Sequence, residues 1–221
     1  MMMKNTAKTA LKWTKMGIYL CAFLGALTWA EQKKDPDAEK KAAAEKAALV
    51  KYIENYLNSL KSIEAQFTQS DPKHGGMLQG HVYLKRPYGV RIQYDLPNGN
   101  IFVGYKGELR YYDKKMDKVN SSDLNTTPLG LLLREKIDFE KDIKVIDAKR
   151  NYQTIRLLLS QEGSSNGGML LLVFSDNPLS LKQWITIDSN GNKMQFSLVN
   201  GNYNCTVSDR YFELSQIKRR F

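Results

Sequence analysis

The feature that most restricts how this chain can fold is a period-two alternation running from Ile63 to Leu198, cut into short segments by turns rich in Gly and Asn. Ile63, Ala65 and Phe67 alternate with polar residues, as do Leu78, Val82 and Leu84, then Val90, Ile92 and Tyr94, then Ile101, Val103 and Tyr105. Successive side chains on a strand point to opposite faces, so each segment reads as a half-buried strand. Breaks fall at His74-Gly75-Gly76, Pro97-Asn98-Gly99, Lys106-Gly107, Asn190-Gly191 and Asn200-Gly201, where Gly and Asn supply the positive φ of tight hairpin turns. Ile155, Leu157 and Leu159 form a further strand, and Met169 to Phe174 a wholly apolar one. Ile185 with Ile187 pairs across Asn190-Gly191 with Met194, Phe196 and Leu198. About ten to eleven strands joined mainly as hairpins predict a mainly β protein, its antiparallel sheet strongly curled or closed into a barrel.

Two segments depart from this period. Leu49, Ile53, Tyr56, Leu57, Leu60 and Ile63 recur at three- and four-residue spacing, the apolar face of an amphipathic helix that needs a surface to cover. Residues 31–48, ahead of it, are charged and alanine-rich with no large apolar side chain, and predict a solvated lead-in that is helical only toward its end. Farther along, Thr127 offers an N-cap, Pro128 a first helical residue, and Leu129, Leu131, Leu132 and Leu133 an apolar surface on nearly every side. Such a helix suits a lid over the sheet's concave face, or an ordinary packing element.

The first thirty residues have the three-part pattern of a secretory signal. Lys4, Lys8, Lys12 and Lys15 come without an acid, and the uncharged run Met16 to Ala30 follows, with Thr28 and Ala30 at the small-residue positions before a cut. Leu20 precedes Cys21 where bacterial lipoprotein signals resemble one another in having a small residue, so the expected product is soluble and not lipid-anchored. Cleavage lowers the formal net charge from +10 to +6 and leaves Cys205 as the single cysteine, so no internal disulfide can form. The expected organisation is a signal over 1–30, the lead-in over 31–48 and one domain over 49–221.

Motifs for chemistry are sparse. Gly163-Ser164-Ser165-Asn166-Gly167 matches the G-x-S-x-G elbow of hydrolases, but a strand follows it and both histidines, His74 and His81, precede it, so it reads as a flexible loop. Two histidines and so few cysteines predict no metal site, and no phosphate loop of standard spacing occurs. We expect no enzyme activity, no cofactor and no nucleic-acid partner. The basic balance of an exported protein points instead to anionic headgroups or acidic protein surfaces. Arg86 shares strand parity with Leu78, Val82 and Leu84, so it either escapes to solvent before Pro87 or is held inside by acceptors; parity alone favours the escape.

Several segments in order resemble the LolA family, the periplasmic carriers of outer-membrane lipoproteins. They are Ile63 to Gln69, Gly80 to Pro87, Arg91 to Asp95, Gly107 to Asp113, Thr127 to Leu133 and Leu181 to Asp188, within about residues 49–199. The resemblance implies an unclosed antiparallel β-barrel with an N-terminal helix and a short helical lid, and an apolar cavity for acyl chains. It places a lid latch at Arg86, bonded to lid carbonyls, and the lid helix at Pro128, Leu129, Leu131, Leu132 and Leu133. With strand parity, it assigns the lining to Phe67, Leu78, Val82, Leu84, Val90, Ile92, Tyr94, Ile101, Val103, Ile155, Leu157 and Leu159. Part of the chain's 42% hydrophobic content would then line a cavity vacant until lipid arrives. The implied partners are acylated lipoproteins, an inner-membrane LolCDE-type ABC transporter as donor and an outer-membrane LolB-type receptor as acceptor, with the carrier a monomer in the periplasm. The alternative is a LolA-like module that binds or senses another amphiphile, such as a glycolipid. Val90 and Ile92 stand where the family tends to carry aromatics, and the resemblance fades beyond Asn200.

Overall fold

The computed structural model describes residues 36–70, 76–141, 143–160 and 168–220. The expected secretory signal, His74 and the Gly163 to Gly167 segment lie outside the described residues.

Helix α1 spans Pro36–Ser59. Proline suits a first turn because the N–H it lacks would have no intrahelical partner, and Asp37 and Glu39 complement the positive end of the helix dipole. The alanine-rich stretch expected to be a solvated lead-in is therefore helical from Pro36 onward, its high intrinsic propensity extending the amphipathic segment backward by three turns. Ile63, which fits both the helical spacing and the first alternating segment, belongs to the first strand. Ile53 and Leu57 are buried on the helix's inner face.

Eleven strands follow in one antiparallel sheet. They are β1 (Ser62–Ser70), β2 (Met77–Lys85), β3 (Gly89–Tyr94), β4 (Ile101–Tyr105), β5 (Glu108–Asp113), β6 (Lys118–Asp123), β7 (Lys144–Asn151), β8 (Thr154–Ser160), β9 (Met169–Asp176), β10 (Leu179–Ile187) and β11 (Lys193–Tyr203). The order across the sheet is β6-β5-β4-β3-β2-β1-β11-β10-β9-β8-β7. Two hairpin meanders are thus joined where β1 pairs with β11, and β6 and β7 form the free edges. The sheet is not closed, as expected of an unclosed barrel. The chain passes from one edge to the other through residues 124–143, which contain a 3₁₀ turn at Leu124–Thr126 and helix α2 at Pro128–Leu132.

One large cluster lies on the sheet's inner face, under α1 and the edge-to-edge connection. Ile53 and Leu57 of α1, Leu131 to Leu133, Ile137 and Phe139 of the connection, and alternate residues of the strands all contribute. Gly80 opens this face for two aromatic rings. It pairs with both Phe67 and Tyr94, whose rings meet edge to face at 5.2 Å, and a β-carbon at Gly80 would stand 2.0 Å from the Gln93 carbonyl oxygen. Trp184 stacks on Phe196 at 5.1 Å farther along the same face.

The outer face of β2 to β4 is also covered. After β11 the chain runs back through 3₁₀ turns at Asp209–Phe212 and Leu214–Gln216, and lies across these strands as a strap. Tyr83, Val207 and Phe212 form one small cluster there, and Ile101, Val103 and Ile217 another.

Candidate functional site

The site is the inner face and its helical cover. In α2 the Thr127 hydroxyl accepts a hydrogen bond from the Gly130 N–H at 3.2 Å, and Pro128 occupies the first turn, as the sequence pattern predicts. Gly130 is required by close approach, because a β-carbon there would stand 2.3 Å from the Leu124 carbonyl oxygen. This seating drives Leu131, Leu132 and Leu133 into the core and leaves Leu129 partly buried beside them. Fully burying a leucine stabilises by roughly 1.5–3 kcal/mol, so the three buried side chains hold this short helix down far better than its own few backbone bonds could.

The inner-face residues Phe67, Val82, Leu84, Val90, Ile92, Tyr94, Ile155, Leu157 and Leu159 are all buried in the same cluster as these leucines. Three residues expected beside them are placed otherwise. Leu78, at the start of β2 and beyond the reach of the cover, is 39% exposed. Ile101 and Val103 are on the opposite face: Ile92 pairs with Phe102, so Phe102 points inward while its two neighbours pack under the strap against Ile217. With apolar residues on both faces of β4, alternation could not tell inside from outside.

Nor is the inner face vacant. Between α1, β1, β2, β10 and α2 lies a narrow apolar pocket lined by Leu57, Leu60, Ile63, Leu84, Leu132 and Leu133, with Arg86 at its rim. Its free space for a water-sized molecule is about 10 Å³, about enough for one water. The inner-face lining expected to stand open is buried in one cluster with the leucines of the cover and the inner face of α1.

Arg86 holds that arrangement. Its Nε and Nη2 donate to the Arg134 carbonyl at 3.0 and 2.6 Å, Nη2 donates to the Glu135 carbonyl at 3.3 Å and Asn58 Oδ1 at 3.4 Å, and Nη1 donates to the carbonyls of Leu57 and, at 3.5 Å, Leu60. The carbonyls are therefore not those of α2 itself but of the two residues just past Leu133, together with the last turn of α1. The latter choice has a physical cause: the last carbonyls of a helix lack intrahelical partners and carry the negative end of its dipole. Burial lowers the pKa of the guanidinium. A second tie lies alongside, the Tyr88 N–H donating to the Leu133 carbonyl at 2.9 Å.

The cover is also fastened from α1. Asn58 Nδ2 donates to the Ile137 carbonyl at 2.8 Å and its Oδ1 accepts from the Ile137 N–H at 2.9 Å. The buried Glu54 carboxylate accepts from the Phe139 N–H at 2.9 Å and pairs with Lys51. Burial pushes the pKa of Glu54 up, but the hydrogen bonds from Lys51 and Phe139 outweigh it and hold the carboxyl below its ordinary range.

Sequence reasoning missed one prominent side chain. Arg91 is wholly buried on the outer face, where Nε donates to Gln93 Oε1 at 3.1 Å, Nη1 to the Tyr211 carbonyl at 3.2 Å and Nη2 to the Arg219 carbonyl. Desolvation brings its pKa down to about 10. The only sequence signal was an Arg and a Gln alternating with Val90, Ile92 and Tyr94, which also describes a solvated face. Among the described residues no three His, Cys, Asp or Glu side chains are grouped to hold a metal, and no helix is long and apolar enough to cross a membrane.

An open antiparallel sheet whose apolar concave face is plugged by a helical cover, with an arginine fastening cover to sheet, defines the class of unclosed, lidded β-barrels. The sequence profile described as "Outer membrane lipoprotein carrier protein LolA" matches residues 58–215, and the chain belongs to that family. It is 24% identical over 172 residues to an outer-membrane lipoprotein carrier protein of Pseudoalteromonas translucida, covering 74% of this chain and 81% of that one. It is also 31% identical over 90 residues to an uncharacterized protein of Rickettsia prowazekii, a match that spans 41% of this chain and only 42% of the relative's length. Among solved structures, a LolA superfamily protein of Nitrosomonas europaea has a TM-score of 0.41 at 9% identity, over 75% of this chain and 97% of that one.

Proposed function

We propose that the protein is a periplasmic carrier that takes acylated lipoproteins from an inner-membrane LolCDE-type ABC transporter and delivers them to a LolB-type receptor at the outer membrane. In this reading it works as a monomer, carries out no covalent chemistry on its cargo and needs no cofactor. The observation that carries the proposal is the set of Arg86 hydrogen bonds, which fasten an apolar cover to an apolar face through main-chain acceptors.

The physical problem is the exposure of acyl chains to water. At about 0.8 kcal/mol per methylene, a chain of roughly fifteen methylenes costs on the order of 12 kcal/mol to leave exposed. A tight site would satisfy that demand but would not let go. Here Leu131, Leu132 and Leu133 occupy the face that the chain would need, so lipid enters by displacing them and leaves when they return. Affinity is reduced by the fraction of molecules that are open, and closing of the cover contributes to release.

The test is mass spectrometry, under non-denaturing conditions, of the protein isolated from a periplasmic extract. Co-purifying diacylated or triacylated lipoproteins are the expected result. Free glycolipid would favour the reading as a binding or sensing module for another amphiphile, and a uniformly empty protein would count against both.

A further inference from the structure

The hairpin that carries Arg86 is gripped on both faces of the sheet. On the inner side, Arg86 donates to Arg134 and to the end of α1, and the Tyr88 N–H donates to Leu133. On the outer side, Lys85 donates to the Val207 carbonyl at 3.2 Å and pairs with Asp209 at 2.6 Å, while Tyr83 stacks on Tyr211 with ring centroids 4.2 Å apart. Arg91 then ties the next strand to the strap through the carbonyls of Tyr211 and Arg219. Consecutive residues, Lys85 and Arg86, thus hold the strap and the cover respectively.

The turn between β2 and β3 fits this double grip with little slack. Gly89 is buried so tightly that a β-carbon there would stand 3.2 Å from the Phe212 ring and 3.0 Å from the Lys85 carbonyl oxygen. One residue earlier, Tyr88 holds a left-handed φ of 66°, a conformation disfavoured for a residue with a side chain and maintained only where its surroundings over-determine it. Those surroundings are Leu133 of the cover, which takes the Tyr88 N–H, and Phe212 of the strap, which packs on the following residue. Release of either removes part of what keeps Tyr88 in place.

We propose that the turn from Arg86 to Gly89 couples the leucine cover on the inner face to the C-terminal strap on the outer face, so that loosening one loosens the other. It rests on the reading that the cover opens in function, and it places a point of control on the face opposite the cavity. Thermodynamic linkage requires the effect to be reciprocal, an opened cover weakening the seat of the strap by the same factor.

Amide hydrogen exchange, followed by mass spectrometry on the lipid-free full chain, tests this in both directions. With Arg86→Leu, exchange across the strap, residues 208–217, is expected to rise at least about fivefold, the low end of ordinary coupling between sites. With Phe212→Ala, exchange across residues 128–135 is expected to rise by a comparable factor, while β9, on the other meander, keeps its parent rate in both variants. An effect confined to the substituted side in each variant would overturn the coupling. Should β9 also accelerate, the domain as a whole is weakened, and Arg86→Lys with Phe212→Leu decide by the same criterion. No lipid enters the measurement, so a failed coupling leaves the carrier reading standing, and an empty carrier leaves the coupling to be judged on its own.

Discussion

Replacing Arg86 by Leu removes the side-chain donors that fasten the cover to the turn after β2, leaving the Tyr88 N–H bond to Leu133, while keeping an apolar stem in its place. Two acceptors dominate: the Arg134 carbonyl, which takes two bonds at 3.0 and 2.6 Å, and the Leu57 carbonyl; the contacts at 3.3–3.5 Å add little. Hydrogen bonds from a charged group contribute about 1.5–3 kcal/mol each. Desolvation of the guanidinium offsets part of this, and water reaching the half-buried carbonyls in the variant offsets more. A net loss of about 2–3 kcal/mol for the closed state is left, a shift of about 30- to 150-fold toward open molecules at 1.4 kcal/mol per decade. If most parent molecules are closed, apparent affinity for an acylated ligand rises by up to that factor. The assay is competition between a synthetic triacylated lipopeptide and a fluorescent fatty acid, followed by transfer of the bound lipopeptide to acceptor vesicles bearing the receptor. Tighter binding and slower transfer are expected, with partial recovery in Arg86→Lys, whose ammonium keeps the charge but lacks the planar fork. A folded Arg86→Leu protein that binds within twofold of the parent and transfers at the same rate would refute the competition between cover and lipid.

Two further outcomes follow from the packing of the same face. Glu54 has a folded-state pKa below its ordinary 4.5, so its ionised form contributes stability above that pH, and the contribution is lost as pH falls through the folded value. Thermal melts of the parent and Glu54→Gln should therefore differ near neutrality and converge as pH falls below 4.5 and through the folded value; curves that stay parallel throughout acid unfolding would remove Glu54 from the fastening of α1 to Phe139. Gly80→Ala should destabilise by about 2–3 kcal/mol, lowering the melting temperature by about 4–12 °C, because its β-carbon meets the Gln93 backbone and not a movable side-chain tip. An unchanged melting temperature would mean that β2 and β3 separate more easily than their pairing implies.

How far sequence alone revealed this molecule depends on how many layers cover each strand. Where one face is covered and the other is wet, as in β1 and β8, alternation identified the inward residues, and Phe67, Ile155, Leu157 and Leu159 lie on the inner face. Where the strap covers the outer face as well, every residue of β3 is buried and β4 carries apolar residues on both faces, which is why Ile101 and Val103 were assigned to the wrong side and Arg91 passed unnoticed. Edge strands were faint for the opposite reason: all six residues of β6 are exposed and leave no hydrophobic period to detect. Parity alone favoured escape of Arg86 to solvent before Pro87, and its inward hold was expected only from the family resemblance. Its acceptors were not legible, because main-chain carbonyls have no sequence signature, and the ones it uses are brought together by residues 48 positions apart, Arg86 and Arg134.

The open seam between β6 and β7 has a mechanical meaning. In a closed barrel, strand number and stagger together fix the diameter, and widening it requires breaking a ladder of hydrogen bonds. In this sheet no ladder joins the two ends, so no inter-strand bond has to break for them to move apart. On the carrier reading proposed above, a second or third acyl chain would be admitted by spreading the ends apart, with every strand pair from β6 round to β7 kept intact. Capacity would then be elastic, and residues 124–143, strung from one margin to the other, would serve as the drawstring that takes up the slack when the load is gone.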